Sequence, residues 1–251
     1  MTQLKVRLLG TFQVEVGGTP ITQFESNKVR ALLAYLVVEQ RQSHSREKLA
    51  ALFWPEMPAR RALSNLSQAL YNLSRLIQDP QAQNIYLRRG RTSIQFNPES
   101  DYWLDVDAFR HVLDGHSPTN PPTTQLTNLD LANFQTALDL YQGDFLEGFT
   151  CNASTTFDEW LIIMRQRLKR WVIEGCHYLV DAFSALGNLE TALSYARHRA
   201  ALDPLDESAC RQLMSLLADN GQRNQALAQF EQLRILLAEE LKVEPEPETL
   251  K

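Results

Sequence analysis

The 251-residue chain is poor in the residue types and spacings from which many enzyme sites are built. It has ten glycines and five scattered histidines, and it contains none of the patterns GxxxxGK[ST], GxGxxG, HExxH, CxxC or GxSxG. Phosphate loops, zinc-protease helices and nucleophile elbows depend on those spacings. The sequence therefore argues against an enzyme, and it predicts neither a cofactor nor a metal site.

Long apolar runs and paired cysteines are missing as well. No stretch approaches the roughly 18 uninterrupted apolar residues that a membrane helix needs. The three cysteines, Cys151, Cys176 and Cys210, are far apart and odd in number, which is typical of a reducing compartment rather than of a disulfide framework. The sequence predicts a cytoplasmic protein with no membrane partner.

The net charge of −5 is the sum of a basic first part and an acidic second part of the chain. Residues 1–98 have 13 Lys and Arg against six Asp and Glu, a balance of +7, whereas residues 99–251 have a balance of −12. A basic segment can face a polyanion that would repel an acidic one. A chance fluctuation of surface charge is the alternative, but the asymmetry favours two domains, 1–98 and 99–251, with different partners.

The first 58 residues predict strands followed by two helices. Apolar and polar residues alternate over 4–8 and 12–16, and Gly17-Gly18 supplies a turn. Ser26 and Ser45 are predicted N-caps. The second of these helices should end at Trp54-Pro55, because the residue before proline is disfavoured in a helix.

A third predicted helix begins near Ala59 and is amphipathic. Leucines recur at helical spacing on one face. The other face carries polar residues able to bond base edges or phosphates: Arg60, Arg61, Ser64, Asn65, Gln68, Asn72 and Arg75. Such a face is often simply solvated, so the helix by itself does not indicate DNA binding.

A basic β-hairpin is predicted after the break at Asp79-Pro80. Its strands are Ile85–Leu87 and Ser93–Phe96, and its tip holds Arg88, Arg89 and Arg91. Three helices followed by a basic hairpin describe a winged helix-turn-helix, in which one helix enters the major groove. The hairpin is the wing, and Lys28 and Arg46 are predicted phosphate contacts.

The remainder of the chain predicts helices. A loop over Ser117–Asn128 precedes them, and everything after Leu129 has helical character. Three pairs of positions lie 34 residues apart, Gly187 with Gly221, Ala192 with Ala226 and Leu193 with Leu227, which is the tetratricopeptide period. Residues 141–178 form a more divergent predicted helix pair, and an ordinary helical bundle remains the alternative.

The order of these pieces resembles a known family. Residues 4–110 resemble the OmpR-type winged helix of SARP-type transcription activators, and residues 107–247 resemble the bacterial transcriptional activator domain that follows it. The matching segments are Leu4–Gly10, Lys28–Leu36, Leu49–Trp54, Ala62–Leu76, Asp101–Val106, Tyr141–Leu146 and Glu239–Leu241.

The resemblance implies a transcription regulator, and more specifically an activator, that binds promoter direct repeats in double-stranded DNA as a homodimer. It also implies contacts between the helical domain and RNA polymerase or further domains, because many such pairs precede a nucleotide-binding switch and a repeat sensor. The family usually starts another helix where this chain reaches 245–249, so a fragment of a longer protein is expected. The predicted fold is an α+β winged helix-turn-helix with a β-hairpin wing, followed by an all-α tetratricopeptide-like domain.

Two points qualify this prediction. Ser67, Asn72 and Ser74 stand where the family commonly has basic residues, which would weaken non-specific DNA affinity. A protein–protein interaction module, with the winged fold as an adaptor, is therefore the alternative function. Asp105 and Asp107 are predicted to cap a helix that begins near Ala108 rather than to form a catalytic carboxylate pair.

Overall fold

The structure is a computed structural model that describes residues 3–78, 85–114 and 128–250. The chain forms two compact units, one of residues 1–112 and 139–168 and the other of residues 113–138 and 169–251. These units do not follow chain order, unlike the predicted division between residues 98 and 99. The expected loop over Ser117–Asn128 and the expected break at Asp79-Pro80 lie almost entirely outside the described residues.

A four-stranded sheet opens the first unit. Its strands are β1 (Leu4–Arg7), β2 (Gln13–Val16), β3 (Thr19–Pro20) and β7 (Tyr102–Leu104), in the order β3-β2-β1-β7. β1 pairs antiparallel with β2, as the alternation predicted, and parallel with β7. Gly17 and Gly18 both have positive φ, 57° and 80°, which explains two adjacent glycines at this turn.

Three helices follow in the first unit: α1 (Asn27–Val38), α2 (Arg46–Phe53) and α3 (Ala59–Leu76). The predicted caps are confirmed, because Ser26 Oγ accepts from the amide of Val29 and Ser45 Oγ from that of Lys48. The buried faces of the helices share one apolar core, which includes Leu32, Leu36, Phe53, Leu66, Leu70 and Leu73.

A second, three-stranded sheet lies next to the start of α2. β4 (His44–Ser45), β5 (Leu87–Arg89) and β6 (Ser93–Phe96) pair antiparallel in the order β4-β6-β5, which confirms the predicted hairpin. Because β4 runs directly into α2, the first turn of that helix is fixed against the hairpin. The amide of Arg46 donates to the carbonyl of Thr92 in the hairpin turn at 3.0 Å.

A later segment of the first unit pairs with the residues that follow β1. The segment 140–154 is not helical, contrary to the prediction, because the backbone of residues 142–147 pairs instead with Leu8–Gly10, just after β1. The amide of Leu146 donates to the Leu8 carbonyl at 2.8 Å, and Phe145 bridges to Leu9. Leu146 has a φ of 51°, which interrupts helical geometry. The predicted helix pair over residues 141–178 is therefore wrong.

Asp105 connects the start of α4 to the residues that follow β1. α4 (Asp105–Asp114) begins at this residue, three positions before the predicted start, and the Asp105 carboxylate accepts the amides of Leu8 and Leu9 at 2.7 and 2.8 Å. Asp107 instead accepts bonds from the Gln40 amide and the Tyr102 hydroxyl. Asp105 also accepts the amide of Val106 in the first turn of α4. The helix thus begins at Asp105 rather than near Ala108, and Asp107 binds other segments instead of capping it.

The second unit is helical. It contains α5 (Asn128–Asp139), the later part of α6 (Thr155–Ala185), α7 (Leu189–Leu202), α8 (Glu207–Asp219) and α9 (Arg223–Leu236), followed by a π-helical turn (Leu237–Leu241). The ring of Phe134 of α5 contacts that of Tyr178 of α6, with centroids 4.6 Å apart and planes tilted by 32°. α7 packs on α8, and α8 on α9.

The 34-residue repeat has a structural counterpart at two helix ends. Gly187 ends α6 and Gly221 ends α8 in the left-handed region, with φ of 74° and 72°. The amide after each glycine donates to a carbonyl five residues earlier, from Asn188 to Phe183 and from Gln222 to Leu217. Both ends are therefore Schellman caps, built at equivalent positions of the repeat.

Candidate nucleic-acid interface

One face of α3 is exposed along its whole length. At 100° per residue, the exposed side chains fall on one side of the helix and the buried ones on the other. The exposed face carries Arg60, Arg61, Ser64, Ser67, Gln68, Tyr71 and Arg75. We call these seven residues the α3 face. Five of them were predicted from the sequence, whereas Tyr71 and Ser67 were not.

Two of the predicted DNA contacts on α3 do not lie on the α3 face. Asn72 is only 7% exposed, although its helical angle lies only about 40° from that of Gln68, so tertiary packing buries it. Including Asn72 among the outward residues was therefore wrong. Asn65 lies at the margin of the helix and is half-buried.

Ser74 and Ser67, two of the residues that stand where the family commonly has basic ones, differ in exposure. Ser74 is buried, and its hydroxyl donates to the Leu70 carbonyl at 2.8 Å. The Ser74 hydroxyl is therefore not available to a phosphate. Ser67, in contrast, is exposed and belongs to the α3 face.

The guanidinium of Arg46 is hydrogen-bonded to Ser67 of the α3 face. The guanidinium Nη2 donates to Ser67 Oγ at 3.0 Å, while the serine hydroxyl itself donates to the Leu63 carbonyl at 2.9 Å. The backbone of Arg46 is bonded at the same time to Thr92 in the hairpin turn. One residue thus connects α2, the α3 face and the tip of the hairpin.

The three arginines of the hairpin differ in their surroundings. The amide of Gly90 donates to the carbonyl of Ser93 at 2.8 Å, so the turn lies between β5 and β6 and holds Arg91, which is exposed. Arg88 and Arg89 belong to β5 rather than to the tip. The guanidinium of Arg88 forms an ion pair with Glu99, and Arg89 is half-buried.

Lys28 is held inside the helical layer. Its ammonium lies 3.1 Å from Glu56 Oε1 and 5.7 Å from the centroid of the Trp54 ring, and its side chain is 18% exposed. The pKa of Glu56 is lowered by its own backbone amide and by this contact with Lys28. Because Glu56 offsets the charge of Lys28, this residue is a poor candidate for a phosphate contact.

Asp105 is the one carboxyl of the first unit whose pKa is strongly raised among the described groups. Burial raises the pKa to about 6, against the opposing effect of the hydrogen bonds from Leu9, Leu8 and Val106. A neighbouring cavity of about 260 Å³ is lined by Arg7 and Trp103 among others. Arg7 forms an ion pair with Glu15 at 2.7 Å, so this cavity offers no uncompensated cation to an anion.

Within residues 3–78, 85–114 and 128–250, no three His, Cys, Asp or Glu side chains come together in a group that could hold a metal ion. No helix among those residues is both long enough and apolar enough to span a membrane.

Comparisons with known proteins identify the class. Residues 104–251 match the family described as BTAD, bacterial transcriptional activator domain. The chain is 28% identical over 240 residues to the regulatory protein AfsR of Streptomyces griseus, and 28% identical over 227 residues to AfsR of Streptomyces coelicolor. These matches cover 92% and 88% of this chain but only 22% and 21% of the relatives, so it spans about a fifth of their length.

The fold also has a solved counterpart. The structure of Mycobacterium tuberculosis EmbR in complex with a low-affinity phosphopeptide matches the whole chain and 64% of EmbR, with a TM-score of 0.72 and 18% identity. The family's description is that of a transcriptional activator domain, and both AfsR relatives are described as regulatory proteins. The chain belongs to the bacterial transcriptional activator domain family, which confirms the resemblance to SARP-type regulators.

Proposed function

We propose that the first unit contains a winged helix-turn-helix of the OmpR type that binds double-stranded DNA. α3 enters the major groove, and the hairpin of β5 and β6 is the wing that contacts the backbone. The observation that carries this proposal is that Arg46 donates two hydrogen bonds. Its guanidinium donates to Ser67 on the α3 face, and its backbone amide donates to Thr92 in the hairpin turn. A helix and a hairpin bonded to the same residue can approach one duplex together.

The charges of the α3 face suit this role. Arg60 and Arg61 begin the helix and Arg75 lies in its last turn, so cations flank a neutral central section. Guanidinium groups suit phosphate oxygens, and neutral amide and hydroxyl groups suit base edges. Arg91 at the hairpin tip and Arg46 beside Ser67 add phosphate contacts, whereas Arg88 contributes less because Glu99 offsets its charge.

The proposed regulator acts as a homodimer on promoter direct repeats in the cytoplasm. In this proposal the helical second unit supports dimerisation and contacts with RNA polymerase. Since this chain spans about a fifth of AfsR, the proposal places it in a longer protein with further switch or sensor domains. None of these roles is catalytic.

The experiment that tests DNA binding is selection of the chain against a randomised duplex pool, followed by anisotropy titrations at two salt concentrations. Enrichment of a direct-repeat motif, with affinity that falls as salt rises, is expected because phosphate contacts release counterions. Circular dichroism of the same sample establishes that the protein is folded. A folded protein that enriches nothing would contradict the proposal and would favour the interaction-module alternative.

A further inference from the structure

Resting on the proposed DNA-binding function, we infer that the middle of α3 reads A·T base pairs. In this assignment, the Gln68 amide bonds an adenine and the ring of Tyr71 covers the methyl group of a thymine. The inference concerns sequence preference, which neither the family nor the fold specifies. It follows from the order of side chains along the α3 face.

Helix length limits which residues can reach bases. The 18 residues of α3 span about 27 Å, whereas the major groove is about 12 Å wide. When the helix crosses the groove, only about eight residues lie between the two phosphate backbones. The section from Ser64 to Tyr71 has that length and lies between the arginines at the two ends.

The exposed side chains of this section are neighbours. Ser64 and Gln68 are four residues apart, and Gln68 and Tyr71 are three apart, so all three lie on one side of the helix. Ser64 and Gln68 are exposed, and Tyr71 is 50% exposed. Tyr71 is the one large aromatic side chain that α3 leaves open to solvent.

The chemistry of these side chains matches an A·T pair. A glutamine amide both donates and accepts, and it can therefore bond adenine at N6 and N7 simultaneously. The thymine methyl is the apolar group on the major-groove edge, and an exposed aromatic ring gains by covering it. The hydroxyl of Ser64 bonds donors and acceptors alike, so it adds no preference of its own.

Guanine reading would require a different central section. Arginine and lysine are the usual partners of guanine O6 and N7, yet no residue from Ser64 to Tyr71 is basic. The nearest cation is Arg46, which is bonded to Ser67 at the flank of the face, about 100° around the helix from Gln68. From there it faces a backbone rather than the middle of the groove.

The test uses the whole 251-residue chain and duplexes selected from a randomised pool. The parent is expected to enrich A·T pairs at two or more adjacent positions in each half-site. Gln68→Ala should lower affinity for the selected duplex on the order of tenfold and lose the adenine preference. Gln166→Ala, an exposed glutamine on α6, is the matched control and should bind like the parent.

Deoxyuridine probes the Tyr71 contact directly, because it lacks only the thymine methyl. Replacing the central thymines by deoxyuridine should weaken parent binding a few-fold, leave Tyr71→Ala unaffected and weaken Tyr71→Phe as it does the parent. Equal affinity of the parent for both duplexes would overturn the Tyr71 assignment. Circular dichroism and melting curves verify that each variant is folded.

Two results separate this inference from the function on which it rests. Salt-dependent, specific binding with G·C pairs enriched at the centre, lost in Arg46→Ala, would overturn the A·T inference and leave the DNA-binding proposal standing. Absence of binding to any duplex by a folded parent would overturn both. Enriched A·T pairs that respond to Gln68→Ala and to deoxyuridine would support both.

Discussion

The guanidinium of Arg46 lies 3.0 Å from Ser67 Oγ and donates a hydrogen bond to it. This contact supplies a positive charge beside a serine that stands where the family commonly has a basic residue. Arg46 belongs to α2 and is 21 residues away in the chain, so the compensation arises from packing. The same residue holds the hairpin turn through its backbone.

Replacing Arg46 tests its contribution to duplex binding. Arg46→Ala should weaken binding to all duplexes similarly and lower the slope of log affinity against log salt by about 1, as expected for one lost phosphate contact. Arg223→Ala, an exposed arginine of α9, is the control. Anisotropy titrations at three salt concentrations measure the slope, and an unchanged slope in Arg46→Ala would argue against a phosphate contact.

The hairpin arginines should be unequal. Arg91→Ala is expected to weaken duplex binding more than Arg88→Ala, because Glu99 already offsets the charge of Arg88. The double variant should weaken binding to all sequences and flatten the salt slope further. Glu99→Gln should act in the opposite direction and strengthen binding, since it removes a carboxylate and releases Arg88. Weaker binding by Glu99→Gln would contradict this arrangement.

Asn72 offers a test of burial rather than of DNA contact. Its Oδ1 atom is buried and has no hydrogen-bond partner among the described residues. Asn72→Leu should therefore keep the selected duplex sequence and raise the free energy of unfolding by about 1 kcal/mol, because a similar-sized apolar group avoids the cost of an unsatisfied acceptor. Urea denaturation measures the change. A shift in the enriched duplex would show that Asn72 reaches DNA after all.

The raised pKa of Asp105 should make the free energy of unfolding depend on pH. Burial raises its folded pKa to about 6 from 3.8, so between pH 4 and 6 the folded state binds more protons than the unfolded state. The contribution of this group is therefore most favourable at acid pH and decreases as the pH rises through 6. The difference in unfolding free energy between the parent and Asp105→Asn should fall by about 2 kcal/mol from pH 4 to pH 7. A difference independent of pH would refute it.

The two helix-ending glycines should respond alike to substitution. Gly187→Ala and Gly221→Ala place a Cβ in open space, with no heavy atom within 4 Å. Only the positive φ opposes the change, and each variant should lose about 1 kcal/mol of unfolding free energy. Asn replacements should lose less, because asparagine tolerates this region better. Thermal melting compares the four variants, and a much larger loss at one site would break the equivalence of the repeats.

Local patterns in the sequence predicted much of the first unit. The capping serines, the alternation over residues 4–8, the start of the third helix at Ala59 and the hairpin are all confirmed. These features depend on neighbours within a few residues. The period of 34 residues was visible for the same reason, since Gly187 and Gly221 each need a left-handed conformation.

The sequence by itself thus determined the first strands, the three following helices, the hairpin and the charge difference between the two parts of the chain. Tertiary packing decided which polar side chains remain exposed: Asn72 and Lys28 became buried or paired, whereas Tyr71 became exposed. It also kept residues 140–154 out of a helix, because residues 142–147 pair with Leu8–Gly10 just after β1. The reason is physical: periodicity along a helix resolves a face only to within one residue, and partners distant in the chain, such as Glu56, Arg46 and Leu8, do not show in a local pattern.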